Sequence, residues 1–169
     1  LDVVEARGQT DNTYIVFASD HGEMLGDHGL HTKSCPYEAA LRVPLIVSGP
    51  GIEGGRTSDT PVELIDVNAT ICDFAGLAPQ PGIDAISFRP VLEGTTDTHR
   101  TETVSAFRGF RLIRTPDHKL VENANDVDEL YDLRSDPDEQ NNVAEEHPAV
   151  VSRLSARMKE RFREGKLRH

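Results

Sequence analysis

The sequence predicts an α/β protein in which a parallel sheet layer is followed by a small antiparallel sheet with a terminal helix. Three observations support this prediction. Residues 13–19 and 44–48 are apolar runs rich in β-branched side chains, which is typical of strands buried on both faces of a parallel sheet. Four short segments of alternating polarity follow between positions 103 and 133, as in antiparallel hairpins. An amphipathic stretch over residues 148–164 predicts a closing helix.

The first predicted unit, residues 1–95, contains both apolar strands and one helix. The helix signal is a capping box, in which Thr60 caps the helix, Pro61 suits its first position and Glu63 reaches back to the cap. Gly76 suits the helix end. Two parallel strands and one helix do not cover both faces of a sheet, so we expect this unit to need more chain.

The second predicted unit, residues 96–169, contains the antiparallel sheet and the terminal helix. We predict strands over residues 103–107, 110–114, 119–122 and 129–133, joined by tight turns. The apolar face of the closing helix consists of Val151, Leu154, Met158 and Phe162, and Gly165 is expected to end the helix. A small sheet packed against one helix is therefore the expected architecture of this unit.

The charge of the chain argues against a nucleic-acid partner. Eighteen Lys and Arg residues stand against 29 Asp and Glu residues, which gives a net charge of −11, whereas phosphate backbones require the opposite sign. No apolar run approaches the ~18–20 residues of a membrane span. No targeting segment is visible, so the location stays open, with the cytoplasm as the default. Cys35 and Cys72 show no CxxC spacing, which argues against a zinc ribbon and leaves their redox state open.

Candidate ligands gather directly after the first strand. Asp20 and His21 place a carboxylate and an imidazole side by side where the strand ends, and Gly22 lets the backbone turn sharply there. Ligands of open α/β sheets bind outside the carboxyl ends of strands, and Lys33 follows Asp20 by 13 positions. A carboxylate, an imidazole and an ammonium together suit a cation and an anionic group. We therefore predict that these three side chains face one pocket.

Simpler interpretations of the same residues are open. An Asp-His-Gly sequence after a strand also forms an ordinary turn, in which the Asp side chain bonds to the backbone two residues on. His21, His28 and His31 suggest a zinc site, although spacings of seven and three residues match no helical zinc signature. Lys33 on its own is typical of a solvated surface lysine.

Three ordered motifs carry a resemblance to a known family. Residues 14–51 read YIVFASDHGEMLGDHGLHTKSCPYEAALRVPLIVSGPG, which combines a hydrophobic strand, S-D-H-G, L-G-D-H-G, a lysine and R-V-P-L-I. Residues 82–94 read GIDAISFRPVLEG, and residues 129–144 read ELYDLRSDPDEQNNVA. In this order the motifs resemble the C-terminal portion of the sulfatase family within the alkaline-phosphatase superfamily. The resemblance implies an alkaline-phosphatase-like sheet layer for residues 1–95 and the family's antiparallel C-terminal subdomain for residues 96–169.

The resemblance also implies roles for four residues. Asp20 and His21 match the family's ligands of a divalent cation, which is expected to be Ca²⁺, with Mg²⁺ or Mn²⁺ as alternatives. Lys33 matches the lysine that binds the sulfate group and assists the leaving oxygen, which makes it the implied catalytic residue. His28 matches a position near the substrate and is implied to help bind it.

The family's nucleophile is not encoded in this sequence. It is a formylglycine made from Cys or Ser in a Cys/Ser-x-Pro-x-Arg motif, and neither Cys35 nor Cys72 begins such a motif. The motif belongs to the family's N-terminal part. The resemblance thus implies a fragment of a sulfuric-ester hydrolase, inactive alone, whose partners are the missing N-terminal part and a sulfate ester of a small molecule or glycan. A related phosphodiesterase or phosphonate monoester hydrolase, or a non-catalytic remnant, is the alternative.

Overall fold

The computed structural model describes residues 1–164, which form a mixed α/β structure. Its helices are α1 (Asp2–Ala6), α2 (Glu38–Leu41), α3 (Asp66–Phe74), α4 (Arg89–Leu92) and α5 (Pro148–Glu164). Its strands are β1 (Ile15–Ala18), β2 (Leu45–Ser48), β3 (Thr103–Phe107), β4 (Phe110–Arg114), β5 (His118–Asn123) and β6 (Glu129–Asp132). Short 3-10 turns lie at Thr10–Asn12 and Asp27–Gly29. None of the helices in this part of the chain combines the length and the hydrophobicity that a membrane crossing requires.

The first two strands pair antiparallel, which corrects the predicted parallel arrangement. β1 runs against β2 in a register that sets Phe17 opposite Ile46. The apolar composition of the strands indicated burial but carries no information on direction. A parallel pair needs a crossover that returns the chain to the starting end, usually a full helix, whereas the connection here holds only a short 3-10 turn and the four-residue α2. Burial on both faces is also not found within residues 1–164, because Phe17 and Ile46 are 59% and 61% exposed.

Helix α3 begins at Asp66, later than the predicted capping box at Thr60. The side chains of that box make long-range contacts instead. The Thr60 hydroxyl accepts a hydrogen bond from the backbone N–H of His99 at 2.9 Å. The Glu63 carboxylate accepts one from the backbone of β3 at 2.8 Å. Tertiary hydrogen bonds therefore replace the local capping signal. The predicted end of the helix is confirmed, since Gly76 follows α3 with a φ of +67°.

The predicted antiparallel sheet and closing helix are confirmed. β3, β4, β5 and β6 pair in sequence order, each strand antiparallel to the next. Helix α5 packs on this sheet, and the buried core between them consists of Ile113, Leu120, Leu130, Leu154 and Met158. Val151 and Phe162, predicted for the same helix face, pack against this core. The predicted helix stop at Gly165 lies outside the described residues.

Buried ion pairs join the two predicted units. The Asp66 carboxylate is 0% exposed and accepts two hydrogen bonds from Arg100, at 2.6 and 2.7 Å. Glu63 pairs with Arg161 of α5 at 3.0 Å. Charges this deep are stable only when they are paired, so these contacts hold α3 and its surroundings against the second unit. The boundary between residues 95 and 96 stays a prediction.

Candidate functional site

Backbone hydrogen bonds fix the turn that follows β1. The Ser19 hydroxyl donates to the His21 carbonyl oxygen at 2.7 Å. The Gly22 N–H donates to the carbonyl oxygen of Ala40 in α2, also at 2.7 Å. Gly22 lies so close to α2 that a Cβ at this position would be 2.0 Å from the Ala39 carbonyl oxygen. Glycine is therefore required here by a close backbone approach.

Asp20 and His21, which we call the Asp–His pair, meet at this turn. Asp20 Oδ2 and His21 Nε2 are 3.5 Å apart. His21 Nδ1 lies 2.7 Å from the Gly22 carbonyl oxygen, which can only accept a hydrogen bond, so Nδ1 carries a proton, and in the neutral imidazole Nε2 is the nitrogen with a lone pair. Two ligands at about 2.3–2.6 Å from one cation and about 90° apart are separated by about 3.3–3.7 Å. The pair therefore fits two neighbouring positions around a single ion.

The Asp–His pair alone does not make up a metal site. The Asp20 side chain is 84% exposed, which leaves it accessible to a cation. Within residues 1–164, no group of three or more His, Cys, Asp or Glu side chains is arranged to hold a metal ion. The suggested zinc site of His21, His28 and His31 is therefore not formed in this part of the chain. Because Ca²⁺ takes ~6–8 oxygen ligands, a cation on the Asp–His pair needs further ligands beyond these two side chains.

Lys33 lies at the end of a loop that closes on itself. The Met24 N–H donates to the Thr32 carbonyl oxygen at 2.9 Å, and the Met24 side chain anchors the loop with 1% exposure. The Lys33 side chain is exposed and makes no hydrogen bond or ion pair with another residue of the described range 1–164. Its ammonium is therefore available to an anionic ligand. The predicted pocket that Lys33 shares with the Asp–His pair stays a prediction.

His28 contacts protein groups on two sides. Its ring stacks on Tyr37 with the ring centroids 3.9 Å apart. Its Nε2 lies 3.1 Å from the carbonyl oxygen of Asp138 and 3.3 Å from the side-chain amide nitrogen of Gln140. Asp138 belongs to the D-P-D-E sequence at residues 136–139, which we call the DPDE turn. A cleft of about 310 Å³ lies between this turn and the loop that carries His28. Nδ1 is the ring nitrogen left for the predicted contact with a substrate.

A buried charge cluster beside this cleft was not predicted. Lys119 of β5 is 0% exposed, and its Nζ contacts Glu38, at 3.2 Å, and Glu139. Short alternating strands predict a solvent-facing lysine at this position, whereas Lys119, Leu120 and Val121 are all buried. Both faces of β5 are thus covered. The signal that could have revealed the cluster is the place of Glu38 and Glu139 in two of the motifs that carry the family resemblance.

Replacing Gly22 with alanine is expected to disturb the turn that orients the Asp–His pair. The new Cβ would meet the Ala39 carbonyl oxygen, which is part of the backbone of α2 and cannot swing away as a flexible side chain could. We expect a loss of about 1–3 kcal/mol in the free energy of unfolding, the usual cost of overpacking. The control is Gly54→Ala, whose Cβ would meet no atom within 4 Å. Equal stability of the two variants in chemical denaturation would contradict the close approach.

Comparison with known proteins supports the sequence motifs. The family model "N-sulphoglucosamine sulphohydrolase, C-terminal" matches residues 26–166. Two curated relatives are each 37% identical: N-acetylglucosamine-6-O-sulfatase of Bacteroides thetaiotaomicron over 158 residues, and choline-sulfatase of Rhizobium meliloti over 155 residues. The matches cover 85% and 86% of this chain but only 28% and 30% of the relatives. The chain thus spans less than a third of the length of these relatives.

Solved structures agree with the fold. BT4656, solved in complex with its substrate D-glucosamine-2-N,6-O-disulfate, is similar with a TM-score of 0.88 and 31% identity, over 100% of this chain and 39% of that one. The phosphonate monoester hydrolase of Agrobacterium radiobacter is similar with a TM-score of 0.84 and 29% identity, over 94% of this chain and 36% of that one. Motifs, fold and matches together show that the chain belongs to the sulfatase family, of the alkaline-phosphatase-like fold, and corresponds to the family's C-terminal portion.

Proposed function

We propose that this chain is the C-terminal part of a sulfuric-ester hydrolase and that residues 20–33 supply part of its cation and sulfate site. The observation that carries the proposal is the Asp–His pair, whose two donor atoms are 3.5 Å apart. The imidazole lone pair is oriented by the hydrogen bond between His21 Nδ1 and the Gly22 carbonyl oxygen. The named activities of both 37% identical relatives support the same reaction class.

The Asp–His pair is proposed to hold a divalent cation together with ligands from the rest of the protein. Carboxylate oxygen suits Ca²⁺, Mg²⁺ and Mn²⁺. Ca²⁺ is the first candidate because of the family resemblance, and Mg²⁺ and Mn²⁺, which a carboxylate also suits, are the alternatives to test beside it. When bound, a divalent cation lowers the pKa of a coordinated hydroxyl and offsets negative charge on the sulfuryl oxygens.

Lys33 is proposed to bind the sulfate group and to assist the leaving oxygen. Its exposed ammonium follows the Asp–His pair in the same loop and makes no ion pair within residues 1–164. An ammonium can donate to a sulfuryl oxygen and to the departing oxygen, where negative charge grows during the reaction. His28 is proposed to contact the substrate through Nδ1, because its Nε2 already contacts the Asp138 carbonyl oxygen. The formylglycine nucleophile is expected from the N-terminal part, as the family resemblance implies.

The proposed substrate is a sulfate ester of a glycan or of a small molecule. One relative is named N-acetylglucosamine-6-O-sulfatase, and the structure of BT4656 contains a disulfated glucosamine as its substrate, which supports an amino-sugar sulfate. A choline-sulfatase of the same identity supports a small-molecule ester. Glucosamine sulfates are therefore the first substrates to test, and choline sulfate is the second.

Hydrolysis of a phosphonate monoester is the second candidate function. It is supported by the similarity to the phosphonate monoester hydrolase, at 29% identity and a TM-score of 0.84. A sulfate ester and a phosphonate monoester both present a tetrahedral anionic group to a cation and an ammonium. Asp20, His21 and Lys33 therefore suit either ester, and the choice between them rests on measured rates.

The proposed protein partner of this chain is the N-terminal part of the same protein. Phe17 and Ile46 face each other across the β1–β2 ladder and are largely exposed within residues 1–164. A two-stranded ladder is marginally stable in water unless further strands or helices cover it. An apolar groove of about 420 Å³ lies between the ladder and α3, where Tyr14 stacks on Phe74. We propose that the N-terminal part covers these surfaces and supplies the other cation ligands.

The test uses the full-length protein that contains this chain. We expect it to hydrolyse 4-nitrophenyl sulfate in the presence of a divalent cation, and to hydrolyse a 4-nitrophenyl phosphonate monoester more slowly. Asp20→Ala is expected to lose cation binding in isothermal titration calorimetry, because one of the two donors of the pair is removed. A faster rate with the phosphonate would favour the second candidate. Turnover of neither ester, and of neither a glucosamine sulfate nor choline sulfate, would overturn both candidates and indicate a non-catalytic protein.

A further inference from the structure

We propose that Lys119 is a positioning residue of the cation site: it fixes helix α2 from the C-terminal sheet and, through α2, sets the orientation of the Asp–His pair. The inference rests on the proposed function and extends it to a residue some hundred positions away in sequence. Lys119 acts through two carboxylates and one short helix, and each step is a contact within the described residues.

The first step is the anchoring of two carboxylates. The Lys119 side chain is completely buried, and its Nζ contacts Glu38, at 3.2 Å, and Glu139. Arg114 of β4 also approaches Glu38, at 3.3 Å. A buried ammonium is costly unless it is paired, and so are the carboxylates around it. The cluster therefore has one well-defined arrangement, in which β5 determines where both carboxylates lie.

The second step leads from the carboxylates to helix α2. Glu38 is the first residue of α2, and Glu139 Oε2 accepts its backbone N–H at 2.8 Å. No side chain at the N-cap position, Tyr37, caps the helix, so Glu139 fulfils this role from the DPDE turn. A helix of four residues is not stable on its own. The position of α2 consequently depends on the charge cluster.

The third step leads from α2 to the Asp–His pair. The Ala40 carbonyl oxygen of α2 accepts the Gly22 N–H at 2.7 Å, and the backbone approach leaves no room for a Cβ on Gly22. The Gly22 carbonyl oxygen in turn accepts the Nδ1 proton of His21 at 2.7 Å. The backbone N–H of Gly22 is thus hydrogen-bonded to α2, and its carbonyl oxygen is hydrogen-bonded to the imidazole of His21. A shift of α2 changes the direction in which His21 Nε2 presents its lone pair.

A second contact joins the loop of residues 20–33 to the DPDE turn. His28 Nε2 lies 3.1 Å from the carbonyl oxygen of Asp138, the residue before Glu139. The DPDE turn therefore contacts the loop of residues 20–33 directly at His28, and indirectly, through α2, at Gly22. Groups that orient metal ligands by hydrogen bonds typically change metal affinity by about 10–100-fold when they are removed. Since Lys119 acts one step further away, we expect an effect at the lower end of this range.

The experiment compares Lys119→Met with Arg161→Met in the full-length protein. Each variant removes a buried cation that lies between carboxylates, but Arg161 pairs with Glu63 and Glu102 and with no residue of 20–41. We expect both variants to melt at a lower temperature. Only Lys119→Met should weaken Mn²⁺ or Ca²⁺ binding, by about tenfold in isothermal titration calorimetry. An unchanged affinity in Lys119→Met, or an equal loss in both variants, would overturn the proposal.

Glu139→Gln is a second variant, which tests the positioning role if Lys119→Met does not fold. Glu139→Gln keeps an acceptor for the Glu38 N–H but removes the charge that Lys119 fixes, so a weaker cation affinity supports the proposal and an unchanged affinity overturns it. If both variants fold, their effects on affinity should be non-additive, since they act through one cluster. The measurements distinguish a failure of the proposed function from a failure of the positioning role. Wild-type protein that binds no cation overturns the proposed function, whereas binding that is lost in Asp20→Ala but intact in Lys119→Met overturns only the positioning role.

Discussion

Replacing Lys33 with methionine in the full-length protein is expected to lower kcat/KM for sulfate esters by about 10²–10³. Methionine keeps most of the side-chain length and removes the ammonium. The loss of a single donor aimed at developing negative charge costs on this scale, because the donor acts mainly on the transition state. Lys33 makes no ion pair within residues 1–164, so we expect an unchanged melting temperature. Cation affinity should also be unchanged, since the ion is proposed to bind at the Asp–His pair and not at Lys33.

Steady-state kinetics with two leaving groups sharpen this test. If Lys33 assists the leaving oxygen, the loss should be larger for an alkyl sulfate than for 4-nitrophenyl sulfate, whose leaving group needs little help. Lys159→Met is the control, because Lys159 is also an exposed lysine but lies on α5. We expect it to retain the wild-type rate. A Lys33→Met enzyme with wild-type kcat/KM would show that the ammonium takes no part in the reaction.

Replacing Asp66 with asparagine is expected to cost about 3–5 kcal/mol of folding free energy, the scale for breaking a buried ion pair. The Asp66 carboxylate is completely buried and accepts hydrogen bonds from Arg100, His99, the Glu63 N–H and the Ile86 N–H. An amide nitrogen in place of one carboxylate oxygen would face donors, and Arg100 would keep only its longer ion pair, with Glu63 at 3.4 Å. The control is Asp97→Asn, since Asp97 is 94% exposed and its pair with Arg56 is of the surface kind, worth about 0–1 kcal/mol. Similar losses in both variants would contradict the buried network.

The same carboxylate should make the stability of the protein fall in acid. Burial acts to raise the pKa of Asp66, but hydrogen bonds from Arg100, Ile86 and His99 outweigh it and hold the pKa below its usual value of about 3.9. The folded state then binds fewer protons than the unfolded state. The contribution of Asp66 is therefore complete above about pH 4 and is lost as the pH falls through the folded pKa. Below about pH 4, the free energy of unfolding should fall less steeply with pH in Asp66→Asn than in the wild-type protein. Parallel curves for the two proteins would exclude this role of Asp66.

Features that depend on neighbouring residues could be predicted from the sequence. The β3–β6 strands are joined in sequence order by short turns, and the apolar positions of α5 recur at helical spacing, so alternation and periodicity predicted both. Asp20 and His21 are adjacent in the chain, and Gly22 marks a turn where no side chain fits. The contact within the Asp–His pair therefore followed from local sequence, while the shared pocket with Lys33 stays a prediction.

Features that depend on distant residues could not be predicted. The direction in which β1 and β2 pair is decided by the path of the connection between them, which apolar composition does not encode. The capping box at Thr60 did not form, because hydrogen bonds to His99 and β3 use its side chains. From its strand pattern, Lys119 is predicted to be a surface residue. Its burial depends on contacts with Glu38 and Glu139, which belong to two other segments of the chain. In each case long-range contacts outweigh a local preference.

The β1–β2 ladder exposes the isolated chain to aggregation. Within residues 1–164 each of these strands pairs only with the other, so one row of backbone N–H and C=O groups on each lacks a strand partner. Such an edge beside the exposed rings and methyl groups of Phe17 and Ile46 is a template for pairing with a second chain. We therefore expect preparations of this chain by itself to be limited by association between copies, and solubility to depend on keeping this ladder covered.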